Sequence, residues 1–66
     1  MRLMISGELT EVPDAVTIAE LLEHLGLTDA MVAVAVDRHH VPRSQHAHHT
    51  LREDDHVEIL APMQGG

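Results

Sequence analysis

One segment of this chain carries helix signals at both of its ends, and that segment limits what the rest can be. Thr17-Ile18-Ala19-Glu20 is a capping box. The threonine hydroxyl can accept from the Glu20 N–H while the Glu20 carboxylate reaches back to the Thr17 N–H. Ile18, Leu21, Leu22 and Leu25 then recur at i, i+3, i+4 and i+7, which puts them on one helical face. Glu20, Glu23 and His24 fall on the other. Gly26 suits the left-handed position just past a helix, and Leu27 can supply the apolar contact of a Schellman stop. A helix this short and one-sided needs a partner surface, and the flanking segments must provide it.

Those segments read as strands. Arg2 to Ile5 and Leu9 to Val12 flank Ser6-Gly7, the pattern of a β-hairpin, and Pro13 ends the second strand. From Met31 to Val36, Val32, Val34 and Val36 alternate with Ala33 and Ala35. The valines suit the face under the helix, and the alanines leave a shallow apolar surface opposite. Asp37 to His40 is expected to form a turn, with Val41-Pro42 at most a short edge segment. Arg43 to Thr50 is polar and is expected to be irregular, with one helical turn begun by Ser44. Glu53-Asp54-Asp55 is a turn signal before a last strand, His56 to Ala61. The order predicts an α+β fold, a mixed sheet of four to five strands wrapped over one main helix, as in the β-grasp or ubiquitin-like arrangement. Residues 1–66 are expected to form one domain with a mobile tail from about residue 62.

Composition removes several function classes. There is no Cys, Trp, Tyr or Phe, so the core must be aliphatic and no disulfide can support it. Base stacking is unavailable, and a net charge of −7 opposes phosphate-backbone binding, so no nucleic acid is expected as a partner. With no lysine, the chain cannot carry a Schiff base or an isopeptide on a side chain. No apolar run approaches a membrane span, and Met1 to Ile5 is too short for a signal peptide. A soluble cytoplasmic protein without a membrane partner is the expectation. Seven histidines make the surface charge depend steeply on pH below about 6.5.

The last residues, Gly65-Gly66, follow a Pro62-Met63-Gln64 spacer. Without a Cβ, two glycines can enter a narrow channel where any side chain would clash. Taken with Val32-Ala33-Val34-Ala35-Val36, Val41-Pro42-Arg43-Ser44-Gln45, Leu51-Arg52-Glu53-Asp54-Asp55 and Val57-Glu58-Ile59, this end resembles the ThiS family of sulfur carriers in thiamin thiazole biosynthesis. The likeness covers essentially the whole chain. His46 departs from it, standing where many relatives carry tryptophan, as does the histidine-rich Asp37-Arg38-His39-His40 segment.

The resemblance implies a carrier and not an enzyme. A ThiF-type adenylating enzyme would consume ATP to activate the Gly66 carboxylate. A persulfide donor would convert it to a thiocarboxylate, and a ThiG-type thiazole synthase would receive the sulfur. Gly65 and Gly66 would bear the function, with Met63 and Gln64 extending the reach. No bound cofactor is implied. Ala33 and Ala35, with Met4 and Leu60 as neighbours, form the candidate docking patch, set against plain sheet surface. Arg43 would pair with an acid on a partner or in its own loop, a local surface ion pair being the simpler outcome.

Other readings compete. The same end would suit a sulfur carrier for molybdopterin or cysteine synthesis, or a ubiquitin-like modifier conjugated to lysines. His39, His40, His46, His48, His49 and His56 are dense enough for adventitious zinc or nickel, but they lack the ligand spacing of a structural site, so no specific metal is expected. A Ser44, His46 and Asp54 catalytic set would need a concave interior that so small a chain hardly offers.

Overall fold

A computed structural model of the protein describes residues 1–27 and 32–60. Those residues form five strands, one α-helix and a 3₁₀ turn. Strands β1 (Arg2–Ile5) and β2 (Glu8–Glu11) form the expected antiparallel hairpin, with Ile5 opposite Glu8. Ser6 and Gly7 both take positive φ, 48° and 83°, as the tight two-residue turn requires. Helix α1 (Ile18–His24) follows, then β3 (Ala33–Val36), β4 (His39–Val41) and β5 (His56–Leu60). The sheet order is β2-β1-β5-β3-β4. β5 lies at its centre, parallel to β1 and antiparallel to β3.

Both helix ends form as their residues predict. The Glu20 N–H donates to the Thr17 hydroxyl at 3.2 Å, and the Thr17 N–H donates to the Glu20 carboxylate at 2.8 Å. At the other end Gly26 has φ 76°, its N–H reaches the Glu23 carbonyl, and the Leu27 N–H reaches the Leu22 carbonyl at 2.7 Å. That is the Schellman pair, and Leu27 packs half-buried against the core. Leu25 is 37% exposed, because the helix ends as its side chain turns past the edge of the core.

The core lies between the helix and the inner face of the sheet. Leu3, Ile18, Leu21 and Val57 are fully buried, with Val34 and Leu51 nearly so. Each contributes about 1.5–3 kcal/mol relative to exposure. With no aromatic ring available, branched aliphatic chains fill the space.

Two expectations for the middle of the chain are corrected. The turn is confined to Asp37 and Arg38, and His39 and His40 belong to β4, a longer edge strand than Val41-Pro42. Asp37 and Arg38 adopt φ 49° and 73°, the same turn geometry as Ser6-Gly7 without a glycine to signal it. The 3₁₀ turn spans Arg43–Gln45 with Pro42 at its N-cap, so Ser44 lies inside the turn and does not begin it.

Residues 46–51 are less irregular than their composition suggests. The helix begins with N–H groups that lack intrahelical partners. The His49 carbonyl accepts from Ile18 and the His46 carbonyl from Ala19, each at 3.0 Å. Thr50 bridges Thr17, and the Leu51 N–H donates to the Val16 carbonyl at 2.8 Å. The loop is therefore fastened to the helix N-terminus. The acidic turn is also engaged: Glu53 accepts from the Arg2 N–H at 2.6 Å, and Asp55 accepts from the Arg52 N–H at 2.9 Å. The Met1 amino group donates to the Val12 carbonyl and to Asp14, and the Asp14 hydrogen bond raises its pKa above the ordinary 8.0.

Candidate functional site

β5 is the strand that leads toward the glycine pair. At Val57 it is paired on both sides, with Ile5 of β1 and with Val36 of β3. β1 stops at Ile5, and beyond it the Ser6 hydroxyl accepts from the Ile59 N–H at 3.3 Å. Past that point Leu60 is paired to Ala33 alone. Alternation places Val57 and Ile59 on the helix side and His56, Glu58 and Leu60 on the outer face.

The register brings the proposed patch residues to one face. Met4 lies opposite His56 and Leu9, Ala35 opposite Glu58 and His40, and Ala33 opposite Leu60. Met4, Ala33, Ala35 and Leu60 therefore share the outer surface. Leu60 is 66% exposed and Leu9 is 58% exposed. Leu9 was legible as an apolar strand residue, but only the register shows that it stands beside Met4. The patch is not uniformly apolar. Asp37, Arg38, His56 and Glu58 line a shallow groove beside it, and Glu58 and His56 stand opposite Ala35 and Met4, so a partner there meets polar groups as well as apolar ones. Met63, Gln64, Gly65 and Gly66 lie outside the described residues.

The ThiS family matches residues 3–66. The chain belongs to the ThiS family. It is 29% identical to the sulfur carrier protein ThiS of Escherichia coli, over the whole length of both chains. It is 35% identical over 66 residues to a thiazole synthase of Paramagnetospirillum magneticum, where it spans 20% of that longer protein. Its fold matches the crystal structure of a thiamine biosynthesis protein (ThiS) from Geobacter metallireducens, with a TM-score of 0.86 and 29% identity over all of both chains. The solution structure of a Geobacter metallireducens thiamine biosynthesis protein matches with a TM-score of 0.83, 28% identity and coverage of 88% of that chain. The architecture is thus that of the β-grasp ThiS structures. The protein is a non-catalytic sulfur carrier of thiamine biosynthesis.

Arg43 is exposed in the 3₁₀ turn. The ion pairs among the described residues are Met1–Asp14 and Arg2–Glu53, so the local pair expected for Arg43 is not formed there. No three metal-capable side chains come together among the described residues. No helix among them is long and apolar enough to cross a membrane.

His46 behaves unlike the rest of its loop. It is the buried polar residue of the described chain, 6% exposed, and its Nε2 lies 3.0 Å from the Val41 carbonyl. A carbonyl only accepts, so Nε2 carries the proton. The ring thus ties the loop to the end of β4. Its spacing from Val41 is the one trace of this in the sequence, and polarity masked it.

Proposed function

We propose that the Gly66 carboxylate is the sulfur-bearing group of this carrier. The observation that carries this reading is a family match that runs through the glycine pair to residue 66. A free carboxylate is a poor electrophile. A ThiF-type enzyme would attack ATP with it, releasing pyrophosphate and forming an acyl adenylate. A persulfide sulfur then displaces AMP, and reductive cleavage of the S–S bond by a thiol leaves the thiocarboxylate. That sulfur passes to a ThiG-type thiazole synthase. The Paramagnetospirillum magneticum thiazole synthase supports the last step, because it contains a ThiS-like stretch within a thiazole synthase chain. The carrier binds no cofactor of its own, and ATP is consumed by the activating partner in the cytoplasm.

The chain divides its tasks in this reading. Residues 1–27 and 32–60 form the body that partners grip, and Met63, Gln64, Gly65 and Gly66 deliver the carboxylate. Met4, Ala33, Ala35 and Leu60 form the docking face, with Arg43 as a peripheral contact for an acidic group. Residues with small side chains on β3 let a partner approach the sheet closely.

Intact mass after incubation with a ThiF-type enzyme, ATP and a persulfide donor tests the proposal. The expected gain is the sulfur-for-oxygen difference, located on the C-terminal peptide. Deleting Gly66 should abolish the gain and leave the circular dichroism spectrum unchanged. Sulfur gained by the deletion variant would overturn the assignment. Amide adducts to lysines of other proteins would instead indicate a ubiquitin-like modifier.

A further inference from the structure

An open groove of about 680 Å³ lies between the β3–β4 hairpin and the segment that runs into β5. It shares Asp37 with the shallow groove beside the outer-face patch, and its other lining residues are different. Its walls carry His39 from the hairpin, His48 and His49 from the loop, and Arg52 from the turn before β5. Two acids, Asp37 and Asp55, complete the charged groups that face it. Val36 and Val41, both buried, contribute apolar lining.

The acids are already engaged. Asp37 accepts from the His56 N–H at 3.1 Å and Asp55 from the Arg52 N–H at 2.9 Å. The four potential cations are not. Among the described residues, the side chains of His39, His48, His49 and Arg52 take part in neither of the ion pairs, Met1–Asp14 and Arg2–Glu53. The loop that carries His48 and His49 is fastened to the helix N-terminus through the His46 and His49 carbonyls, and His39 is paired with Val36 in β4, so the histidines are presented from a fixed frame.

Charge decides what such a groove can hold. With neutral imidazoles, one guanidinium faces two carboxylates and the lining sums to −1. With all three imidazoles protonated it reaches +2. Among unperturbed side chains, imidazole is the one whose charge changes near physiological pH. The groove beside α1 is different, being lined by Asp14, Glu20 and Glu23 with only His24 to offset them. An anion drawn to this protein of net charge −7 would therefore find its site locally and not through overall attraction. Charged imidazole and guanidinium N–H groups spread over three walls suit an anion with several acceptor oxygens, and charge-assisted bonds to phosphate oxygens are strong ones.

We propose that this groove binds a tetrahedral oxyanion of the phosphate class, filling as His39, His48 and His49 become protonated. The assignment stands apart from sulfur transfer and from the C-terminal residues.

Sulfate keeps its double charge across this pH range, so it isolates the protein's own titration. Imidazole NMR signals would be followed during a sodium sulfate titration at pH 5.8 and pH 7.5, with ionic strength held by chloride. Saturable shifts at His39, His48 and His49 are expected, with affinity about tenfold tighter at pH 5.8. The paired substitutions His48→Gln and His49→Gln should abolish saturation at pH 5.8, and Arg52→Gln should weaken it. Absence of saturation, equal affinity at the two pH values, equal shifts at His24, or binding retained in the paired variant would each overturn the proposal. Competition at pH 5.8 identifies the source. Displacement of sulfate by inorganic phosphate indicates the bare anion, tighter displacement by AMP indicates a phosphate ester, and displacement by neither overturns the assignment.

Discussion

The two faces of the sheet are built from alternate residues of the same strands, yet they answer to different constraints. On β5, Val57 is fully buried beneath α1 while its neighbours His56 and Glu58 are exposed. On β3, Val34 and Val36 enter the core while Ala33 and Ala35 face outward. The inner face must be filled and dry, so its side chains are branched and aliphatic. The outer face is excused from packing and can carry small, charged and apolar groups together. A pleat of period two lets one strand serve both purposes, and substitutions on the two faces should separate stability from carrier function.

The largest effect on stability is expected at the inner face. Val57→Ala should lower the unfolding free energy by about 2–3 kcal/mol, read from urea denaturation, because a fully buried side chain leaves a cavity under the helix. A cost below about 0.5 kcal/mol would erase the distinction between the faces. His46→Ala should cost about 1–3 kcal/mol, since it removes a buried ring and leaves the Val41 carbonyl without that donor. Leu60→Ser should alter stability by no more than about 0.5 kcal/mol. The same change should reduce the efficiency of sulfur loading by about tenfold if the outer face is the docking surface. Loading at the wild-type rate would remove Leu60 from that surface.

The smallest effect is expected away from both faces. Asp14 raises the pKa of the Met1 amine, so the stabilising interaction is present below about pH 8 and fades as pH rises through the higher folded value. Asp14→Asn should bring the amine back toward 8.0, as followed by NMR, and flatten that alkaline loss. An unchanged amine titration would show that the contact at 3.0 Å does not set it.

Legibility in the sequence followed the range of the interactions. The Thr17 cap and the Gly26 stop are bonds within a few residues, and local spacing revealed them. The alternation of Val34 and Val36 with the alanines declared both faces of β3 for the same reason. A turn at Asp37 to His40 was legible, but its confinement to Asp37 and Arg38 was not, because their φ values accompany the pairing of Val36 with His39 and no glycine marks them. The fastening of residues 46–51 to the helix escaped because it uses backbone carbonyls, which every residue has. His46 was hidden by its polarity, which usually marks a surface position. As for the docking patch, the sequence named Ala33, Ala35, Met4 and Leu60, but only the strand order and register set Leu9 beside Met4 on that face.

The central place of β5 has a mechanical consequence. A carrier gripped by a partner and drawn by its end feels tension along β5. The strand is bonded to parallel β1 on one flank and to β3 on the other, with Ser6 adding a rung at Ile59. Tension along a strand bonded on both flanks loads its rungs together in shear, whereas an edge strand such as β4 can be peeled one rung at a time. The body is thus best braced against pulling on the strand that leads to its glycines.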